Sequence, residues 1–236
     1  MSNDYFKFKK FTIKQEGCAM TVGTDGCLLG AWFCAESSRR ILDIGAGTGL
    51  ISIMAAQRSN ATVTGLEIDA IAAVRAAENV KNSPWSERIR IINADLRFFE
   101  SREPFDTIVS NPPYFTNSLK CGNEQRTLAR HNDSLSPALF FAKAKELLAA
   151  DGKICIIVPT DTLNEWANEA VMKGFTTTRI THVQTTPRKT PKRTLIELRQ
   201  TTCGTQKKET LILEESPGVY SQEARALLRD FYLKID

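Results

Sequence analysis

Short apolar runs recur through the middle of the chain, and segments with helical spacing of apolar residues fill the stretches between them. The runs are five to eight residues long, the length of buried strands, and lie at 40–44, 61–68, 88–93, 105–109 and 153–158. Strands that alternate with helices form parallel sheets covered by helices on both faces. The pattern therefore predicts an α/β domain around a mostly parallel sheet.

Capping signals predict where two of the helices begin. Thr24 is expected to be the N-cap of a helix over 25–35, and Asp69 the N-cap of a helix over 70–81. In the second helix, three apolar residues at helical spacing are expected to face the sheet: Ile71, Val74 and Ala77. The first helix precedes the first strand of the sheet, so it is expected to lie across one edge of that sheet.

Both ends of the chain add elements to this core. Aromatic residues alternate with lysines in 1–16, which predicts short strands. Packing against the core is the preferred role of this segment, and contact with nucleic acid is the alternative. Toward the C-terminus, 175–184 and 194–200 are predicted to form an antiparallel pair, followed by a strand at 210–213 and a helix from Ser221.

A single domain over 1–236 follows from these patterns, with an N-terminal segment 1–35, a core 36–200 and a C-terminal extension 201–236. The composition, 42% hydrophobic and 25% charged residues, is typical of a globular domain with its own core. The net charge of +4 allows an anionic partner without requiring one.

Cysteine usage and hydropathy indicate the compartment. The six cysteines, at positions 18, 27, 34, 121, 155 and 203, include no Cys-x-x-Cys pair, so neither a zinc site nor a redox motif is predicted. The N-terminus has no apolar signal-peptide region, and no apolar stretch approaches the ~20 residues of a membrane span. We therefore expect a cytoplasmic enzyme without a metal or a membrane partner. A monomer is expected as well, although these patterns do not determine the oligomeric state.

The first candidate site is the glycine-rich turn after the strand 40–44, Asp43-Ile44-Gly45-Ala46-Gly47-Thr48-Gly49. Glycines at a strand-to-helix turn allow tight geometry and close approach of a ligand. The G-x-G-x-G spacing, with Asp43 two positions before the first glycine, favours a cofactor with an amino-acid tail. An NAD-dependent oxidoreductase is the alternative from another class. We predict that Asp43, Gly45, Gly47 and Gly49 bind the cofactor.

Two acidic residues follow the next strands of the predicted sheet. Glu67 lies at the end of the strand 61–68, where a carboxylate can accept hydrogen bonds from both hydroxyls of a ribose. Asp95 follows the strand 88–93 and can accept from the amino group of a cofactor adenine, or cap a helix instead. Both are predicted cofactor ligands.

The stiff turn Asn111-Pro112-Pro113-Tyr114 follows the strand 105–109 directly. Neither proline has an N–H, and the residue before each is held extended, so the turn projects from the carboxyl end of its strand, where open α/β sheets bind ligands. The Asn111 side-chain oxygen and the Pro112 carbonyl can accept both hydrogens of a planar –NH₂ group, and Tyr114 can stack on a flat base. We predict that these three residues catalyse a reaction at a weakly nucleophilic amino nitrogen.

Two loops are candidate substrate contacts. The long polar segment 116–135 is a candidate lid over the turn 111–114. The segment 188–193 concentrates four cations, Arg188, Lys189, Lys192 and Arg193, around a proline. Near the active edge, such a loop is expected to contact phosphates.

Taken together, 43–49, Glu67, Asp95 and 111–114 resemble the class I S-adenosylmethionine-dependent methyltransferases that modify amino groups. The resemblance covers about 20–200. It implies a Rossmann-like fold with a seven-stranded, mostly parallel sheet whose last strand is antiparallel. It also implies S-adenosyl-L-methionine as cofactor, with Asn111 beside it.

A narrower resemblance points to one family, the bacterial tRNA1(Val) adenine-N6 methyltransferases. It rests on Gly23-Thr24-Asp25, Leu28-Leu29-Gly30, Asn-Pro-Pro-Tyr-Phe at 111–115, Ala129-Arg130-His131 and Asp230-Phe231-Tyr232-Leu233. By this resemblance, Thr24 and Asp25 help to close the cofactor site, and the substrate is the tRNA adenosine 3′ to the valine anticodon. A glutamine-N5 methyltransferase acting on a protein such as a release factor is the alternative, because a side-chain amide presents the same –NH₂ group.

Overall fold

The computed structural model describes residues 3–18, 20–113, 135–201 and 205–235. An N-terminal hairpin of β1 (Tyr5–Lys7) and β2 (Thr12–Lys14) precedes the central sheet. The strands of the sheet are β3 (Arg40–Ile44), β4 (Thr62–Glu67), β5 (Ile89–Asn93), β6 (Phe105–Ser110), β7 (Leu148–Pro159), β8 (Thr176–Gln184), β9 (Arg193–Arg199) and β10 (Lys207–Ile212). A small hairpin, β11 (Glu214–Ser216) and β12 (Val219–Tyr220), follows.

The strand order is β10-β8-β9-β7-β6-β3-β4-β5. All neighbours are parallel except β9, which is antiparallel to both β7 and β8. The predicted seven-stranded sheet with its last strand antiparallel is thus present as β3 to β9. The C-terminal extension adds β10 as an eighth strand at the edge.

Helices cover both faces of the sheet: α1 (Thr24–Trp32), α2 (Leu50–Arg58), α3 (Ala70–Lys81), α4 (Pro137–Leu147), α5 (Leu163–Met172) and α6 (Gln222–Leu228). Successive residues of one strand belong to different cores, because strand side chains point alternately to opposite faces. Ile41 packs in the core beneath the hairpin, α1 and α2, whereas Leu42 packs in the core beneath α4 and α5. Burial on both faces explains why the strands are continuous apolar runs.

The start of α1 differs from the sequence prediction. Gly23 is the N-cap, Thr24 is the first helical residue, and the helix ends at Trp32. Within the described residues, no side chain caps this N-terminus, so the N-terminal N–H groups of α1 are left for other partners. The prediction for α3 was correct: Asp69 is its N-cap and accepts a hydrogen bond from the Ala72 N–H at 2.8 Å.

The buried face of α3 also differs from the prediction. Ile71 and Val74 are each 62% exposed and Ala77 is exposed as well, so the expectation that these three residues face the sheet was wrong. The buried stripe consists of Ala72, Ala73, Ala76, Asn79 and Val80. Small residues occupy it because the helix passes close to the glycine-rich turn: a Cβ at Gly49 would lie 3.4 Å from the Ala76 Cβ.

The strand registers place the predicted site residues along one edge of the sheet. Ile44 at the end of β3 is opposite both Leu66 of β4 and Ser110 of β6, and Glu67 is opposite Asn93 of β5. The start of β9 reaches the same edge, because Arg193 is opposite Pro159 at the end of β7. Among the helices of the described residues, none is long and apolar enough to cross a bilayer.

Candidate active site

A cavity of about 470 Å³ opens at this carboxyl edge. Its size is typical of a pocket for a small molecule or cofactor. Several of the predicted site residues line it: Thr24, Asp25, Gly45, Gly47, Glu67, Asp95 and Asn111. Asp43, Gly49 and Pro112 are described by the structure but are not among the lining residues.

The glycine-rich turn forms the floor of the cavity, where Gly45 and Gly47 contribute only backbone. Gly45 and Gly47 have φ angles of +74° and +55°, which other L-residues rarely adopt. A Cβ at either position would meet no described residue within 4 Å, so the backbone leaves room there for a ligand. The N–H groups of Gly45 and Ala46 both donate to the Leu66 carbonyl, at 2.8 and 3.0 Å, which ties the turn to β4. The turn is therefore a rigid, open cradle.

Glu67 is a buried carboxylate, only 8% exposed, that holds two loops together. Its Oε2 accepts from the Gly47 N–H at 2.7 Å, and its Oε1 accepts from the Asp69 N–H at 2.9 Å. Each oxygen retains a second acceptor direction. Because the side chain also lines the cavity, it can hold the glycine-rich turn in place and accept hydrogen bonds from a ligand.

Asp43 lies beneath the glycine-rich turn and is fully buried. Ser52 donates to its Oδ2 at 2.7 Å, while its Oδ1 is buried without a hydrogen-bond partner among the described residues. Burial raises the pKa of Asp43 to about 7, and hydrogen bonding from the side chain and backbone of Ser52 opposes this only in part. An unpaired buried oxygen has an energetic cost, which a cationic ligand group nearby would reduce.

Asp95 is the N-cap of a short 3₁₀ helix, Leu96–Phe98. Its Oδ1 accepts from the Arg97 N–H at 2.8 Å, and its Oδ2 accepts from the Arg97 Nε, also at 2.8 Å. These hydrogen bonds from Arg97 hold the pKa of Asp95 below its usual range. The capping role is thus present. The carboxylate also lines the cavity, where it is fixed in place by Arg97.

The turn at 111–114 leaves β6 at the cavity rim. The Ser110 hydroxyl, completely buried, donates to the Ile44 carbonyl at 2.7 Å and locks the end of β6 to β3. Asn111 is half-buried and lines the cavity together with Pro113, while Pro112 is buried. Tyr114 and the predicted lid up to 134 lie outside the described residues, as does Ala129-Arg130-His131.

The basic loop 188–193 meets the cavity at the start of α1. Arg193, the first residue of β9, donates from its Nε to Asp25 Oδ2 at 2.6 Å. Arg188, Lys189 and Lys192 are exposed. The loop lies at the active edge as predicted, but one of its four cations forms an ion pair with a residue predicted to close the cofactor site.

Several lining residues carried no sequence signal of their own. The segment from Met20 to Val22 lines the cavity, as do the apolar residues Ile68, Leu96 and Leu139. Arg97, which fixes Asp95, was also missed. The sequence shows only that Arg97 follows Asp95 by two residues. That spacing alone does not predict that the two side chains are paired.

A glycine-rich turn after the first strand, an acidic residue at the end of the next, and this strand order together define the class I methyltransferases. Comparison with known proteins agrees. The family model described as methyltransferase small domain matches residues 23–183. A "predicted O-methyltransferase" from Agrobacterium tumefaciens has a TM-score of 0.69 at 20% identity and covers 90% of this chain and 99% of its own. A glycopeptide N-methyltransferase has a TM-score of 0.58 at 14% identity over 77% of this chain and all of its own. These structures share the fold.

Curated relatives share much more of the sequence. A Bacteroides fragilis protein named "tRNA1(Val) (adenine(37)-N6)-methyltransferase" is 47% identical, with each chain covered completely. Proteins of the same name from Bacteroides thetaiotaomicron and Trichodesmium erythraeum are 45% and 41% identical over at least 99% of both chains. The chain belongs to the methyltransferase small domain family, in the group formed by these relatives.

Proposed function

We propose that the protein transfers a methyl group from S-adenosyl-L-methionine to the N6 amino group of an adenosine in tRNA(Val), on the 3′ side of the anticodon. The observation that carries the proposal is the placement of Asn111, at the end of β6, on the rim of a cavity floored by the glycine-rich turn. The names of the full-length relatives support the substrate. A monomer that acts in the cytoplasm, as the sequence predicts, is part of the proposal.

The residues around the cavity fit this cofactor. Gly45 and Gly47 leave room for close approach to the backbone, and the carboxylates of Glu67 and Asp95 suit ribose hydroxyls and an adenine amino group. Asp43 lies beneath the turn, where its carboxylate, when ionised, would favour the cationic amino group of an amino-acid tail. When bound, S-adenosylmethionine supplies an electrophilic methyl group.

The chain's own part in the chemistry is to prepare the amino nitrogen. The Asn111 side-chain oxygen and the Pro112 carbonyl accept the two hydrogens of the –NH₂ group, which draws the nitrogen lone pair out of conjugation with the ring. The two prolines keep these acceptors in a fixed relation, since neither φ angle can vary. The proton leaves the methylated, cationic nitrogen to water or to Asn111, so no basic residue is required. Tyr114 is proposed to stack on the base.

The sequence left two alternative functions open, and a different observation argues against each of them. An NAD-dependent oxidoreductase is not supported, because the chain belongs to a methyltransferase family. A glutamine-N5 methyltransferase uses the same two acceptors, so the turn at 111–114 does not distinguish it. The names of the relatives and the basic loop at the active edge favour RNA.

Label transfer tests the proposal directly. The protein is incubated with methyl-labelled S-adenosylmethionine, unmodified tRNA(Val) and a release factor, and the RNA and protein fractions are then separated. We expect label in the tRNA, recovered as N6-methyladenosine after nucleoside analysis. Label on protein glutamine alone would overturn the proposal in favour of the alternative.

A further inference from the structure

The N-terminal hairpin concentrates positive charge away from the active-site loop. Residues 5–14 contain four lysines and no carboxylate. The segment 188–193 contains four further cations, so the remainder of the chain has a net charge of −4. The chain's excess of positive charge thus comes from these two segments, and only the second has a role in the proposed function.

The hairpin register separates the two kinds of side chain. Phe6 is opposite Ile13, while Tyr5 is opposite Lys14 and Lys7 is opposite Thr12. Since strand side chains alternate between faces, Ile13 points into the core and is completely buried, whereas Lys7 and Lys14 are exposed on the outward face. Tyr5 lies among them and is 57% exposed. The sequence favoured packing on the core for this segment, with nucleic-acid contact as the alternative, and its inner face does pack on the core.

The lysines stand on a rigid support. In the turn, the Phe8 and Phe11 rings stack with centroids 4.5 Å apart, and the Lys9 N–H donates to the Phe231 carbonyl at 2.8 Å. At the other end, the buried Asn79 amide exchanges two hydrogen bonds with the Lys14 backbone, at 2.8 and 2.9 Å. A fixed backbone lowers the entropy lost when a partner binds.

A groove of about 500 Å³ runs between the outward face of the hairpin and α3. Lys7, Lys10 and Lys14 line it. No carboxylate in the described part of the chain lies within ion-pair distance of these three lysines. Their charge is therefore available to an anionic partner, and an extended polyanion can contact all three.

The hairpin is also connected to the cavity. The Gln15 side chain, directly after β2, accepts from the Val22 N–H at 2.8 Å, and Val22 lines the cavity. On the other side, Arg193 holds Asp25, which lines it as well. Both basic segments are thus hydrogen-bonded, directly or through Gln15, to residues that line the cavity.

We propose that the outward face of the β1–β2 hairpin binds backbone phosphates of the tRNA substrate as a second contact surface, separate from the loop 188–193. This inference rests on the proposed function. Phosphate contacts position a nucleic acid without reading its bases, and lysines on a fixed scaffold suit that role. The hairpin therefore holds the body of the tRNA while the adenosine enters the cavity.

The test variant replaces three lysines, Lys7→Gln/Lys10→Gln/Lys14→Gln; Lys9 is kept because its Nζ bonds to the Arg229 carbonyl. Binding of unmodified tRNA(Val) transcript is measured by filter binding over a range of salt concentrations. We expect the slope of log affinity against log salt to flatten by about 2, because each lost contact removes ~0.7, and the Kd at physiological salt to rise roughly tenfold. The affinity for S-adenosylhomocysteine should stay unchanged.

Two further variants serve as controls. Arg39→Gln/Arg102→Gln/Lys208→Gln removes the same charge from exposed positions on other parts of the molecule and should retain most of the wild-type slope. Lys7→Arg/Lys10→Arg/Lys14→Arg keeps the charge and should bind like the wild type.

The outcomes separate the two ideas. If the wild type methylates tRNA but the hairpin variant keeps the slope of the charge-matched control, the hairpin inference is wrong and the proposed function stands. A wild type that binds tRNA through the hairpin but labels only protein overturns the proposed function alone. A wild type that binds no tRNA overturns both.

Discussion

At the scale of single residues, two buried carboxylates beside the glycine-rich turn differ in their hydrogen bonding. Glu67 accepts a backbone N–H on each oxygen, whereas Asp43 accepts from Ser52 on one oxygen and its other oxygen has no partner among the described residues. Backbone donors stabilise an ionised carboxylate, and burial without donors destabilises it. Mutation of Glu67 is therefore expected to lower the stability of the protein, and mutation of Asp43 is expected to raise it at neutral pH.

Replacing Glu67 by Gln should weaken cofactor binding by one to two decades, since a hydrogen bond to a charged group contributes ~1.5–3 kcal/mol. The Gln side chain has one acceptor oxygen, so the Gly47 or Asp69 N–H also loses its partner and the turn loosens. Calorimetry with S-adenosylhomocysteine measures the affinity, and Glu165→Gln on the exposed face of α5 is the control. An unchanged affinity in a folded Glu67→Gln protein would remove Glu67 from the cofactor site.

For Asp43, the elevated pKa makes a prediction about pH. The unfolded chain releases this proton near the ordinary aspartate pKa of 3.8, whereas burial raises the pKa of Asp43 in the folded protein to about 7. Between these values the folded state binds more protons, so this group's contribution to stability falls as pH rises, by about 4 kcal/mol in total at most. Asp43→Asn should abolish that loss while keeping an acceptor for Ser52.

Urea unfolding of the cofactor-free protein at acidic and at slightly alkaline pH checks this prediction. The stability of the wild type relative to Asp43→Asn should decrease across the interval. Asp151→Asn, at an exposed position, controls for nonspecific pH effects. Parallel stability curves for wild type and Asp43→Asn would show that the Asp43 carboxyl titrates normally.

Asn111→Ala should retain cofactor binding and lose most methyl transfer. The loss of one preorganised partner of the reacting group corresponds to about 10²–10³ in turnover. Single-turnover rates with saturating tRNA measure the effect, and Asn60→Ala, in an exposed loop after α2, is the matched control. Rates within a few-fold of wild type would exclude Asn111 from the chemistry.

At the scale of elements, the ion pair between Asp25 and Arg193 joins the start of α1 to the start of β9. The two side chains are 25% and 36% exposed, so solvent screens the pair and its direct contribution to stability is small. The main effect of the ion pair is instead to fix the position of the loop 188–193 relative to α1. Because Asp25 lines the cavity, the pair links the loop expected to contact RNA to the cofactor site.

Arg193→Ala should therefore weaken both cofactor and tRNA binding, whereas Lys192→Ala, in the same loop but exposed, should weaken tRNA binding alone. The expected change in cofactor affinity is about two- to fivefold, corresponding to the ~0.5–1 kcal/mol of a part-exposed ion pair. Calorimetry on the tRNA-free protein measures it. Equal cofactor affinity in the two variants would assign Arg193 to RNA contact only.

At the scale of the whole molecule, the terminal segments complete the core of the sheet domain. Phe8 and Phe11 from the hairpin, with Leu228 and Phe231 from the C-terminal region, belong to the same buried cluster as α1 and α2. We therefore propose that 1–35, 36–200 and 201–236 unfold as one cooperative unit.

Phe231→Ala tests whether the three segments unfold cooperatively, because Phe231 is only 2% exposed and lies far from the cavity residues in sequence. The loss of the Phe231 ring should lower the free energy of unfolding by ~3–5 kcal/mol, and the protein should still unfold in a single transition. Phe98→Ala, at a position 80% exposed, should change it by no more than ~0.5 kcal/mol. A separate early transition in Phe231→Ala would mean that the C-terminal extension folds independently.

The sequence by itself determined the order of elements and the residues at the active edge. Strands buried on both faces must be continuous apolar runs, so β3 was predicted at its observed bounds and β6 to within one residue. The motifs directly follow these strands, and parallel strands end at one edge. The placement of Gly45, Gly47, Glu67, Asp95 and Asn111 around one cavity was therefore predictable.

Tertiary structure decided which partners these residues have. The pairing of Arg193 with Asp25, the support that Asn79 gives to the hairpin, and the outward orientation of Ile71 all depend on elements distant in sequence. Helical spacing gives α3 more than one possible apolar face, and the close approach of the glycine-rich turn selected the one with alanines. Local patterns specify which surfaces a chain can bury, but the neighbours that bury them are set by the packing of the whole domain.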